Sequence, residues 1–128
     1  MTYFITFAFV VASILSTVVS IPVPEVDEVT LIKRGRGTWF NVGLGACGKT
    51  NVDTDAIVAI PASVYSDGSH CDKIVSIKNN ANGKTTTATV RDKCPSCSAE
   101  DLDMSPAVFS DIGDLDSGVT DVSWSFDN

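Results

Sequence analysis

Hydrophobic and polar positions fall into two regimes along this chain. Residues 4–19, FITFAFVVASILSTVV, are almost wholly apolar. The run fits the core of a signal peptide and is short for a spanning helix, which needs about 20 residues. Val18 and Ser20 are small residues at −3 and −1 of a cleavage after Ser20. Residues 21–34 carry prolines and acids without periodicity and end in Lys33–Arg34, the form of a pro-peptide site for a kexin-type protease. The expected organisation is a signal peptide over 1–20, a pro-peptide over 21–34 and one domain over 35–128. The expected protein is secreted, extracellular and free of the membrane once processed.

Beyond Gly35 the pattern is that of short strands. Gly37–Asn41 predicts a first strand and Ile57–Ile60 a buried one. Pro61–Tyr65 predicts a single helical turn with proline at its start. Lys73–Lys78 and Lys84–Asp92 predict a hairpin closed by the turn Asn79–Gly83, NNANG. Ser105–Gly113 predicts a short helix, with Ser105 as N-cap, Pro106 at the first position and Gly113 as the stop. Gly118–Phe126 alternates, with Val122, Trp124 and Phe126 on one face, and predicts a closing strand. With Leu102–Met104 leading into the short helix, the fold class is mostly β: six short strands and one or two short helices around one small core.

Charge narrows the partners. The whole chain has net charge −7, and residues 35–128 carry seven Lys/Arg against thirteen acids. With no basic cluster, nucleic acid is excluded as a ligand, and an anionic pectin would be repelled. A neutral glycan or a protein fits better. The glycine-rich stretch Gly43–Gly48 lacks phosphate-loop spacing, and Asp53 and Asp55 lack the further acids of a calcium loop. His70, the single histidine, has no free thiol expected as partner and reads as a surface residue.

The four cysteines are Cys47, Cys71, Cys94 and Cys97. An even count in a short secreted chain reads as two disulfides, with three connectivities open. A lone Cys-x-x-Cys is poor evidence for zinc, and without a long helix behind it the motif is poor evidence for redox catalysis. No metal and no cofactor are expected.

Five pieces, in order, carry a resemblance. They are Thr38-Trp39-Phe40, Gly45-Ala46-Cys47-Gly48 with Thr50-Asn51, Val90-Arg91-Asp92-Lys93-Cys94, Leu102-Asp103-Met104-Ser105-Pro106-Ala107-Val108-Phe109 and Val122-Ser123-Trp124. Together they resemble the double-psi β-barrel (RlpA-like/expansin-like) domain, most of all its single-domain fungal loosenin-like members. The resemblance implies a six-stranded double-psi β-barrel and the pairing Cys47–Cys71 with Cys94–Cys97, of which the second pair also sits close within one turn. It implies that Asp103 is the key acid, in a non-hydrolytic role, and that Thr38, Trp39 and Asp92 bind polysaccharide. Carboxylates accept sugar hydroxyls and an aromatic face stacks on the ring, so these residue types suit such a groove.

Glycoside hydrolysis ordinarily needs two flanking carboxylates. Where related endoglucanases place their base, this chain has Phe40 and Asn41. Where lytic relatives place a glutamate, it has glycine and leucine, and Glu100 is the one glutamate after Arg34. Ordinary glycosidase activity is therefore not expected. The resulting expectation is a monomeric loosenin-like protein acting on cellulose or chitin. The alternatives are a secreted protein-binding module (a cysteine-protease inhibitor or host-directed effector) and, third, a weak glycan-cleaving enzyme. The purely structural account of Asp92 and Asp103 is that they hold backbone amides around the crossing loops.

Overall fold

The computed structural model describes residues 31–127, so the signal-peptide expectation, with cleavage after Ser20, and the pro-peptide up to residue 30 lie outside the described residues. The strands are β1 (Lys33–Trp39), β2 (Ile57–Pro61), β3 (Ile74–Asn79), β4 (Thr85–Cys94), β5 (Leu102–Met104) and β6 (Val119–Phe126). Two short helices accompany them, α1 (Ala62–Tyr65) and α2 (Pro106–Ile112), with a 3-10 turn at Leu115–Ser117. The strands close a barrel in the order β1-β5-β2-β4-β3-β6. The β1/β5 and β2/β4 pairs are parallel and the other neighbours antiparallel. This is the six-stranded double-psi architecture the sequence resembles.

Alternation explains the interior. Val58 and Ile60, Val75 and Ile77, Ala88 and Val90, Leu102 and Met104, and Val122 and Trp124 each take every second position, and all ten are buried. Helix α2 closes the core with Val108, Phe109 and Ile112, all fully buried. Its start follows the expected chemistry: Ser105 accepts from the Val108 amide, with Pro106 at the first position. Ser105 also accepts from the Ile57 amide and donates its own amide to the Ile57 carbonyl, so the cap fastens α2 to β2.

Three details depart from the sequence expectation. The first strand begins at Lys33, because Lys33–Arg36 pair with β6 although Lys, Arg and Gly have little strand preference of their own. Leu102–Met104 is a true strand, held from both sides by β1 and β2. Finally, β4 carries a bulge. Val58 pairs with Val90 while Ala59 pairs with Asp92, leaving Arg91 as the extra residue.

Both disulfides close as the resemblance implied, Cys47–Cys71 and Cys94–Cys97, and no free cysteine remains among the described residues. A thiolate zinc site is thereby overturned. Among the described residues no helix is long and apolar enough to cross a membrane, and no group of three or more His, Cys, Asp or Glu is placed to hold a metal.

Candidate functional site

The site is a row of side chains laid across four neighbouring strands. Thr38 on β1 pairs with Asp103 on β5, Asp103 pairs with Ala59 on β2, and Ala59 pairs with Asp92 on β4. Cross-strand partners share a face, and the neighbours of Asp103 on β5, Leu102 and Met104, point inward. Asp103 therefore points out. The bulge at Arg91 matters here. Strict alternation from inward-facing Val90 would send Asp92 into the core, whereas the extra residue sets it opposite Ala59 on the outer face. One intervening strand puts the backbones of Asp92 and Asp103 roughly 10 Å apart.

Asp103 is half-buried, and Thr38 Oγ1 donates to its Oδ1 at 2.9 Å. Burial is the main force raising its pKa. The hydrogen bonds from Thr38 and the Met104 backbone pull the other way, and the charge of Asp92 adds to the rise. The carboxyl opens onto a groove of about 150 Å³ lined by Arg36, Thr38, Cys94, Ser96, Cys97, Asp101 and Asp103. The Cys94–Cys97 disulfide thus forms one wall. Asp101 supports another by accepting from the amides of Arg36 and Ser98.

Asp92 sits at the far end of the row. Its Oδ1 accepts from the amides of Ala46 and Lys93, each at 2.8 Å. It thereby fastens the glycine-rich loop, whose Gly45 lies so close to β4 that a Cβ there would stand 2.3 Å from the Arg91 carbonyl. Tyr65 helps hold that loop through its hydroxyl, which donates to the Ala46 carbonyl.

Trp39 is not brought into the row. It is adjacent to Thr38 on a strand, so it faces the opposite way. Its ring packs against the core and its Nε1 donates to the Leu115 carbonyl at 3.0 Å. The polysaccharide-stacking role expected of Trp39 has no support in this placement. Alternation alone contained that signal. His70 is not a free surface residue either: its ring stacks on Phe126 with centroids 4.4 Å apart, and burial lowers its pKa. It is not among the residues lining the Asp103 groove.

Asp53 and Asp55 hold their own loop. Asp53 accepts from Asn41 and the Val42 amide, and Asp55 from Asn51 and the Val52 amide. Elsewhere, a depression of about 410 Å³ on the β3–β4–β6 face is more apolar but is lined by no acid. The chemistry therefore stays with the Asp103 groove. There, one raised-pKa carboxyl can donate or accept a hydrogen bond to a hydroxyl, beside a hydroxyl and a cation, Thr38 and Arg36.

Comparison with known proteins agrees with this architecture. A family model described as lytic transglycolase, of the double-psi β-barrel kind, matches residues 32–124. The chain is 37% identical over 100 residues to the papain inhibitor of Streptomyces mobaraensis, covering 72% of this chain and 69% of that protein. It is 37% identical over 99 residues to allergen Asp f 7 of Aspergillus fumigatus, spanning 36% of that longer protein. Among solved structures, a Streptomyces papain inhibitor superposes with a TM-score of 0.69 at 33% identity, covering 77% of this chain and 96% of that one. A mutant Clavibacter michiganensis expansin in complex with cellohexaose superposes with a TM-score of 0.68, covering 77% of this chain and 51% of that one. At 24% identity the expansin likeness speaks to fold alone.

Proposed function

The chain belongs to the double-psi β-barrel family whose model is described as lytic transglycolase, and on that premise we propose that it is a secreted protein that binds cell-wall polysaccharide, cellulose or chitin, and loosens it without hydrolysis. The observation that carries this reading is the Thr38–Asp103 pair at the groove, continued by Asp92 across Ala59. Thr38 donates to Oδ1 of the Asp103 carboxyl and fixes its orientation, and the carboxyl lines the groove where a sugar hydroxyl would meet it. At about 150 Å³ the groove is too small to engulf a sugar chain, so a glycan would lie across it and exchange hydrogen bonds with its neighbours for hydrogen bonds to the row. That exchange separates chains without breaking a glycosidic bond.

Hydrolysis lacks support. Burial raises the Asp103 pKa, but hydrolysis also needs a second carboxylate to activate water or attack the sugar. Asp92 has one oxygen committed to two backbone amides and serves the loop. No cofactor or metal is needed for the binding chemistry proposed.

A second reading has an observation of its own. The chain shares 37% identity with a papain inhibitor and superposes on nearly the whole of a solved one. We therefore keep cysteine-protease binding as the alternative. The turning away of Trp39 favours it, since the groove then has no stacking face.

The test uses the secreted protein beside its Asp103→Asn variant. Both are assayed for retention on insoluble cellulose and chitin, weakening of a stretched cellulose sheet, sugar release and papain inhibition. Weakening without sugar release, lost in the variant, is the expected result. Neither binding nor weakening, with papain inhibited, would replace the first reading by the second. Sugar release that depends on Asp103 would make the protein an enzyme after all.

A further inference from the structure

The dibasic pair Lys33–Arg34 opens β1 rather than preceding it. Lys33 pairs with Trp124 and Arg34 with Ser123, and the ladder continues through Gly35 with Val122 and Arg36 with Asp121. Side chains reinforce it. Arg34 Nη2 stands 2.7 Å from Asp121 Oδ2, and Lys33 Nζ lies 5.9 Å from the centroid of the Trp124 ring. An exposed ion pair is a weak restraint by itself. The firmer one lies just inside. A Cβ on Gly35 would stand 2.4 Å from the Glu100 carbonyl oxygen, so the backbone there runs directly under that carbonyl. The next amide, that of Arg36, donates to Asp101 Oδ1 at 3.0 Å. The Arg34–Gly35 bond is thus held by the barrel on both sides.

We propose that the processing site expected at Lys33–Arg34 is open to a dibasic-specific secretory protease only before the barrel closes. Such a protease must take the residues on both sides of the bond as one free extended segment. Lys33–Arg36 would have to leave β6, and Gly35 and Arg36 would have to leave Glu100 and Asp101. Fraying of a strand end requires little free energy, but opening past that second anchor requires more. The reaction is plain amide hydrolysis: water adds across the Arg34 carbonyl carbon and the Gly35 nitrogen, giving a carboxylate on Arg34 and an amino group on Gly35. Closure of the fold therefore acts as a deadline for processing. The proposal holds for either function above and rests only on passage through the secretory pathway.

The full chain is produced in two yeast hosts, one with and one without its dibasic protease. The first should secrete a product starting at Gly35. The uncut product of the second is then exposed to soluble protease in two forms. One is folded and oxidised, and the other is reduced, alkylated and shown unfolded by circular dichroism. The folded form should be cut at Arg34 on the order of a hundredfold more slowly. Gly35→Ala, which drives a methyl against Glu100, should raise the folded rate about tenfold or more. Asp101→Ala, which frees the Arg36 amide, should do the same and serves if Gly35→Ala does not fold. Equal rates for folded and unfolded chains would overturn the proposal. So would an unfolded chain left intact at Arg34, or an uncut product from the protease-bearing host.

Discussion

Asp103 is held in a state that works against the fold. Its pKa is raised from 3.8, chiefly by burial, so in the window above that value the native protein holds more proton than the unfolded chain. Stability contributed by this group falls as pH rises through the window and stays lower at neutral pH. Asp103→Asn is therefore expected to raise the melting temperature at pH 7 and to lose that gain at a pH below the ordinary carboxylate range, in calorimetry at both pH values. Asp55, Asp67 and Asp121 run the other way. Hydrogen bonds lower their pKa values, so their stabilisation is present above the ordinary carboxylate range and lost as pH falls. Gly45 shows a different constraint. Because the atom facing it is the backbone oxygen of Arg91, Gly45→Ala should destabilise by about 1–3 kcal/mol in urea unfolding and loosen the loop that Asp92 fastens. That Thr38, Asp92 and Asp103 fall in one row is foreshadowed by their local motifs, whereas Trp39, the next residue along β1, turns to the other side by strand parity, packs on the core and donates to the Leu115 carbonyl.

At the level of elements, those with their own punctuation could be read directly. Ser105-Pro106 announces α2, and NNANG announces the β3–β4 hairpin. Elements defined by partners could not. Lys33–Arg36 are strand only because β6 lies beside them, and Leu102–Met104 only because β1 and β2 flank it. The bulge did leave a trace, three polar residues in succession, Arg91-Asp92-Lys93, after an alternating run. The Ser105 cap joins elements that the sequence shows as separate. Its hydroxyl serves the amides of both Val108 and Ile57 while fully buried. Ser105→Ala should therefore destabilise by about 1–3 kcal/mol, and hydrogen exchange should show faster opening at β2 as well as at α2.

For the molecule as a whole, the covalent links and the net charge set the conditions of use. A domain this small has a limited core, so its disulfides weigh heavily. Replacing Cys47 and Cys71 together by serine, which opens a loop of sequence separation 24, should lose about 3 kcal/mol. Opening the short Cys94–Cys97 loop should lose about 2 kcal/mol, but would also remove a wall of the Asp103 groove. Chemical unfolding of each double variant separates the two. Seven Lys/Arg against thirteen acids over residues 35–128 predict exclusion from anionic pectin, which salt should relieve, and no such exclusion from neutral cellulose or chitin.

The antiparallel pairing of β1 with β6 also has a mechanical consequence. Lys33 faces Trp124 at one end of that pair, and Thr38 faces Val119 at the other. A pull applied through the two chain ends therefore bears on one rung at a time and unzips the barrel like a closure opened from its tab. A load arriving through the row of Thr38, Asp103 and Asp92 is shared by four strands at once. Single-molecule pulling along the two directions should give a low rupture force when the protein is tethered by its ends and a high one when it is gripped at its groove.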